Sequence, residues 1–354
     1  MTAKLILEDG TIFTGKAFGA EGTAYGEAVF NTSMLGYPDI LTDPENTGKI
    51  VCMTYPLIGN YGVMDAYGKI SRLSGFVVRE KCEYVSNYRP YDHIEDFMRE
   101  RGIIGLYDID TRALTIKLRD SGAMKAAITT EDSPAEKHLA DLKTYTVNES
   151  LQLDIDVSAH VDAVKNRRGT AAVYCFGAYK LMAKCLNERG YKVSVFNGRT
   201  KAADILAGKF DLVVISDGAG DPRMASGDVM DTIKALCDSG TPLLGISLGH
   251  QLIALSMGGV VEKLKNGHRG SNYPVLDKAR GRTYMSAQNH GYVVKYNKDL
   301  SEKADISHVN INDDSVEGLV YRGRPIHTVQ FLPDTAPGVS ETEYVFDEIL
   351  KKVR

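Results

Sequence analysis

One short run of this chain has the residue types and spacing of a nucleophilic centre. Gly245-Ile246-Ser247-Leu248-Gly249-His250-Gln251 carries a G-x-S-x-G pattern between an apolar strand signal ending at Ile246 and a helix signal continuing through Ser256. Glycines on both flanks permit a strained turn that lifts the Ser247 side chain over a sheet edge. The N–H groups opening the next helix would face negative charge developing there. Such an arrangement performs acyl transfer if a neighbouring base takes the hydroxyl proton. A tight turn with glycines for close packing uses the same five residues, so the pattern alone leaves both readings open.

The flanking elements are those that could position such a turn. After Gly169, the apolar runs Ala171–Gly177, Lys192–Phe196, Asp211–Ser216 and Pro242–Ile246 alternate with helical stretches, including Val229 to Cys237. Short continuous apolar strands between helices predict a parallel sheet covered on both faces. The first part reads differently. Lys4–Leu7, the turn Glu8-Asp9-Gly10 and Thr11–Gly15 predict a hairpin, and Gly26–Asn31 a further strand. Helices are expected over Ile94–Gly102 and Thr111–Arg119, the second capped by Asp110. From about Thr130 to Arg168 the chain is polar. The fold class is therefore α/β, with a sheet-rich domain over 1–130, a linker over 131–168 and a parallel-sheet domain over 169–354.

Composition narrows the function classes. The chain has 354 residues, enough for two ordinary domains, and a net charge of 42 − 46 = −4. That charge offers no basic field for nucleic acid or an anionic membrane, so neither is an expected partner. No apolar stretch is long enough to cross a bilayer, and the start lacks a signal peptide's apolar region. Five scattered cysteines, Cys52, Cys82, Cys175, Cys185 and Cys237, form no CxxC pair and read as reduced thiols of a cytoplasmic protein. No His/Cys/Asp spacing points to a metal, and Gly15-Lys16-Ala17-Phe18-Gly19 has neither the spacing nor the setting of a phosphate loop.

Longer motifs identify a family. Gly245–Leu252, with Ser216-Asp217-Gly218-Ala219-Gly220-Asp221-Pro222 before it and Gln288-Asn289-His290-Gly291 after it, resembles the class I glutamine amidotransferase domain. Phe30–Tyr37, Leu41–Pro44, Thr54–Gly62, Asp108–Arg112, Gly267-His268-Arg269-Gly270 and Pro333–Gly338 resemble the small subunit of carbamoyl phosphate synthase, in order along nearly the whole chain. The resemblance implies hydrolysis of glutamine's side-chain amide by a cysteine at the elbow, a histidine base and an orienting glutamate. Ammonia then passes to a large subunit that uses ATP for carbamoyl phosphate synthesis in the arginine and pyrimidine pathways. This chain would need no cofactor of its own. The pocket positions implied are Glu45, Gly218, Gly220, Leu248, Gln251, Asn289, Gly291 and Tyr292.

The chain departs from that pattern where the chemistry is done. The triad positions are Ser247, Leu332 and Asp334, in place of cysteine, histidine and glutamate. A hydroxyl depends wholly on an adjacent base, and leucine moves no proton. His327 lies on the same strand five positions earlier; at ~3.3 Å per residue it sits more than about a dozen ångströms away and on the other face. The Gly-Pro-Gly oxyanion loop of the family is Gly218-Ala219-Gly220 here, preceded by Asp217 in place of asparagine. Glu45 stands where the family has a serine contacting glutamine, and a carboxylate there would repel glutamine's own by on the order of 1 kcal/mol. These losses predict a pseudoenzyme that supports an ammonia-using large subunit, as the resemblance allows for forms with serine at the elbow. The alternatives are a slow glutaminase, with Ser247 as nucleophile and Asp334 assisting through water, and a binding protein whose altered pocket draws a cationic metabolite to Glu45 and Asp217.

Overall fold

The computed structural model describes residues 1–63, 73–87, 92–157, 167–177, 179–333 and 340–353, in two compact units, Met1–Asn148 and Glu149–Arg354. Asp334 lies outside the described residues.

The first unit is built on β1 (Thr2–Leu7), β2 (Ile12–Gly19), β3 (Thr23–Asn31), β4 (Lys49–Met53), β5 (Leu57–Ile58), β6 (Gly75–Val77), β7 (Glu80–Lys81), β8 (Ile104–Tyr107) and β9 (Met124–Thr129). Seven of these close a barrel in the order β1-β2-β8-β6-β4-β3-β9, while β5 and β7 pair separately. The expected hairpin is β1–β2, closed by Leu7 N–H donating to Thr11 O and by Asp9 accepting from Thr11 N–H. Helices α1 (Tyr37–Thr42), α2 (Ile94–Glu100) and α3 (Thr111–Ser121) accompany the barrel. The Asp110 side chain accepts from Ala113 N–H at 2.9 Å, the cap expected from sequence, and Leu114 and Leu118 carry the buried stripe of α3.

Of the stretch expected as a linker, residues 131–148 fall in the first unit and the described residues 149–157, 167 and 168 in the second. Helix α4 (Ala135–Thr144) covers its first part. Only His138 and Leu142 of α4 are buried, too few to stand out from a polar sequence. Polar bonds hold it instead: Tyr25 donates to Asp141 at 2.6 Å and meets His138 Nδ1 at 3.1 Å, while Ser133 engages the other ring nitrogen. Beyond Asn148, Leu151 and Leu153 pack on one core of the second unit, and Ile155 and Val157 on the other.

The second unit is one nine-stranded sheet. Its strands are β10 (Gly169–Phe176), β11 (Tyr191–Asn197), β12 (Leu212–Gly218), β13 (Leu243–Ile246), β14 (Val260–Asp277), β15 (Arg282–Lys295), β16 (Ala304–Asn310), β17 (Val316–Tyr321) and β18 (Ile326–Val329), in the order β11-β10-β12-β13-β18-β17-β16-β14-β15. The first five in that order pair in parallel and the rest antiparallel. Around it lie α5 (Lys180–Glu188), α6 (Ala202–Ala207), α7 (Gly227–Asp238), α8 (Leu248–Ser256), α9 (Lys298–Ser301) and α10 (Tyr344–Leu350). One face buries Ile233, Leu236, Leu252 and Ile253 of α7 and α8, and the other Met182 and Leu186 of α5 with Val345, Phe346 and Ile349 of α10. No helix among the described residues is long and apolar enough to cross a membrane.

Candidate functional site

Ser247 sits between β13 and α8, at the carboxyl end of a central parallel strand, where α/β sheets place their ligand crevices. Its backbone has φ 50° and ψ −106°, a positive φ costly for any non-glycine residue. The turn is held by Ser247 N–H donating to Val329 O at 2.8 Å and by Gln251 N–H donating to Ser247 O at 3.2 Å. Two glycines make room for it. A Cβ on Gly249 would lie 2.3 Å from Ile215 O, and one on Gly245 2.6 Å from Ile253 Cδ1. The nucleophile-elbow reading of the motif is therefore present in the backbone.

The position that the resemblance assigns to the base is apolar. Leu332 is 4% exposed, packs with Val329 and Phe331, and donates its N–H to Ala287 O at 2.9 Å. None of the described histidines of the second unit is hydrogen-bonded to Ser247. His327 lies on β18 opposite Leu244 and Val320, one residue before Thr328, which meets His250 of α8. Alternation along the strand turns His327 to the α10 face, where burial first and then Lys352 of the α10 end lower its pKa. His268, His290 and His308 have both ring nitrogens engaged elsewhere. No cysteine substitutes as nucleophile at the loop either. Burial, then Gly177 and Asp217, set the Cys175 thiol, pushed up to about 12 and bonded to Gly177 O.

His250 Nδ1 meets Thr328 Oγ1 at 2.7 Å, while its buried Nε2 has no hydrogen-bond partner among the described residues. Burial, followed by the charge of His308, holds this imidazole down to about 3. A depressed histidine pKa means the folded chain takes up its proton later than the unfolded chain. Stability supplied by neutral His250 is thus complete above the unfolded value near 6.5 and is lost as pH falls toward 3, at up to about 1.4 kcal/mol per pH unit. Urea unfolding at pH 7 and pH 5 is expected to show wild type losing roughly 2 kcal/mol more than His250→Gln. Equal losses would contradict this.

The other implied pocket residues fall as follows. Gly218 ends β12, and a Cβ there would lie 2.6 Å from Phe176 O. Gly220 has φ 112° and leaves 2.9 Å between a hypothetical Cβ and both Glu149 O and Leu151 N, so the segment from Glu149 runs directly over the oxyanion loop. Asp221 N–H donates to Glu149 O at 2.7 Å. The Leu248 side chain is in the core, so that residue offers the site its backbone at the start of α8. Gln251 donates from Nε2 to Tyr292 O at 2.9 Å and lies 3.1 Å from Gln330 Oε1, tying α8 to β15 and the end of β18. Asn289 and Gly291 lie on β15 beside Arg269 of β14, whose Nη2 is 3.2 Å from a hypothetical Gly291 Cβ. Tyr292 donates its hydroxyl to Glu149 Oε1 at 2.9 Å, and burial, then this carboxylate, raises its pKa. Glu45 belongs to the first unit, buried in a short 3-10 turn whose N-cap Asp43 accepts from Glu45 N–H at 2.8 Å. Asp334, the orienting position, lies outside the described residues.

Residues 5–128 match the family described as carbamoyl-phosphate synthase small chain, CPSase domain, and residues 173–352 match glutamine amidotransferase class-I. A carbamoyl phosphate synthase small chain of Clostridium perfringens is 42% identical over 353 residues, covering 99% of each chain. The chain belongs to the carbamoyl phosphate synthase small chain family. A relative of the same name from Akkermansia muciniphila is 37% identical over 366 residues, covering 100% of this chain and 98% of its own, and one from Fusobacterium nucleatum is 39% identical over 352 residues, covering 99% and 98%. The fold class and family expected from the motifs agree with these matches.

Proposed function

We propose that this small chain does not hydrolyse glutamine and acts as a structural or regulatory partner of a carbamoyl phosphate synthase large subunit, which takes free ammonia and ATP. The carrying observation is the pairing of a strained, well-formed elbow at Ser247 with a buried leucine at the position of the base. The turn that the reaction needs is retained, while the leucine at position 332 cannot carry a proton. Removing a whole triad from a comparable hydrolase costs about a million-fold in turnover, and the residual rate comes from the oxyanion hole. Here that loop is Gly218-Ala219-Gly220, without the proline that would stiffen it. A cytoplasmic location and the absence of a cofactor in this chain accompany the proposal.

Nitrogen-source dependence tests it. Mixed with its large subunit, the chain is expected to support carbamoyl phosphate synthesis from ammonium but not from glutamine. Glutamine-driven synthesis that disappears in Ser247→Ala would establish the second reading, a working glutaminase. Failure to associate with any large subunit, with a thermal shift on adding amines, would instead favour a metabolite-binding protein.

A further inference from the structure

The antiparallel half of the second unit brings together three side chains that the elbow does not use. His268 on β14 and His290 on β15 face each other as a cross-strand pair, and Glu317 of β17 joins them. They are 8%, 5% and 0% exposed, and one ligating atom from each lies within 4.8 Å of the others.

Their hydrogen bonds do not close. Ser286 Oγ donates to Tyr273 O at 3.0 Å, so it can only accept from Gln288 Nε2, at 3.1 Å. That fixes the amide with Gln288 Oε1 toward the imidazoles, 3.0 Å from His268 Nδ1 and 2.8 Å from His290 Nε2. His290 Nδ1 must carry its proton to donate to Tyr292 O at 2.8 Å. A neutral His290 then aims a lone pair from Nε2 at an amide oxygen, acceptor against acceptor. Glu317 Oε1 accepts from Asn310 Nδ2 at 3.1 Å, but its buried Oε2 has no hydrogen-bond partner among the described residues.

A cation at the convergence point relieves the His290–Gln288 contact and gives the buried Glu317 carboxylate a charge partner. We propose that His268, His290 and Glu317, with Gln288 Oε1 in the fourth position, form a buried site for a divalent transition metal of the zinc class. Two imidazoles with oxygen ligands suit such an ion, whose bonds of about 2.0–2.2 Å place neighbouring ligand atoms about 3.3–3.6 Å apart in a tetrahedron. His268 Nδ1 to Glu317 Oε1 is already 3.6 Å. The outer contacts are also those of ligating histidines, which hold their second nitrogen on a carboxylate or carbonyl. His268 Nε2 lies 2.9 Å from Asp313 Oδ2, and His290 Nδ1 is bonded to Tyr292 O. With four protein ligands the site is closed and structural, clamping β14, β15 and β17 and so fixing the Gln288–Gly291 stretch. It is independent of whether Ser247 hydrolyses glutamine.

The test uses the full chain, stripped with a chelator and titrated with Zn²⁺ against a chromophoric competitor. One equivalent is expected to bind with a rise in Tm, and Co²⁺ in its place to give the visible bands of a tetrahedral centre. Asp313→Asn is expected to weaken Zn²⁺ binding 10–100-fold. Glu317→Gln, which keeps an oxygen but removes the charge, should weaken Zn²⁺ binding more than Asp313→Asn does, and His327→Gln should leave it intact. Wild-type protein that binds no Zn²⁺ overturns the proposal, whatever the variants do. Undiminished binding in Glu317→Gln overturns it equally.

Discussion

The double variant Ser247→Cys with Leu332→His is expected to release ammonia from glutamine at least about 100-fold faster than Ser247→Cys alone, the lower end of what a positioned general base contributes. Cysteine supplies a more acidic nucleophile, but a thiol at the elbow without a base remains a poor one. Leucine 332 follows β18 by three residues, and Ser247 N–H is bound to Val329 O of that strand, so the two positions are anchored to the same strand end. The gain should come with a stability cost of about 1–3 kcal/mol, since the imidazole enters an apolar cluster. If Ser247→Cys alone is as fast as the pair, some other group is the base and the proposed inactivity is wrong.

Gly249→Ala is expected to destabilise the second unit by about 3 kcal/mol or more, seen as a Tm drop of roughly 6–12 °C. The added methyl would meet the Ile215 carbonyl at 2.3 Å, and a backbone oxygen in a central strand cannot move aside as a side-chain tip could. Helix α8 would have to lift from β12, and the elbow with it. Gly227→Ala is the internal control. It opens α7 with nothing within 4 Å of a new Cβ, so it should be neutral or stabilise by about 0.5–1 kcal/mol. A Tm change for Gly249→Ala no larger than that control's would show that the elbow tolerates a looser fit.

How much of this was legible before the structure depends on the kind of signal. Strands β10, β12 and β13 were readable because both of their faces are buried, which leaves continuous apolar runs in the sequence. The Asp110 cap and the first hairpin were readable because local bonds define them. Strands β14 to β17 passed without a signal. The 18-residue β14 mixes exposed charges, two glycines and a proline, and its register shifts twice, so no period survives. Helix α4 hid inside a polar stretch because polar bonds hold much of it. At the site, the elbow announced itself through glycine spacing, whereas Leu332 is silent by its own chemistry and gained meaning only from the family motif around it. His268, His290 and Glu317 are far apart in sequence, and only the facing register of β14 and β15 makes two of them neighbours. No spacing rule for metal ligands reaches across such a sheet.

The loss of glutaminase chemistry is tested most directly by the intact mass of the chain after incubation with glutamine and acid quenching, repeated with an electrophilic glutamine analogue. The unmodified mass is expected in both, with an adduct only in the Ser247→Cys, Leu332→His variant. A glutamyl or analogue adduct mapped to Ser247 of the wild-type chain would contradict it.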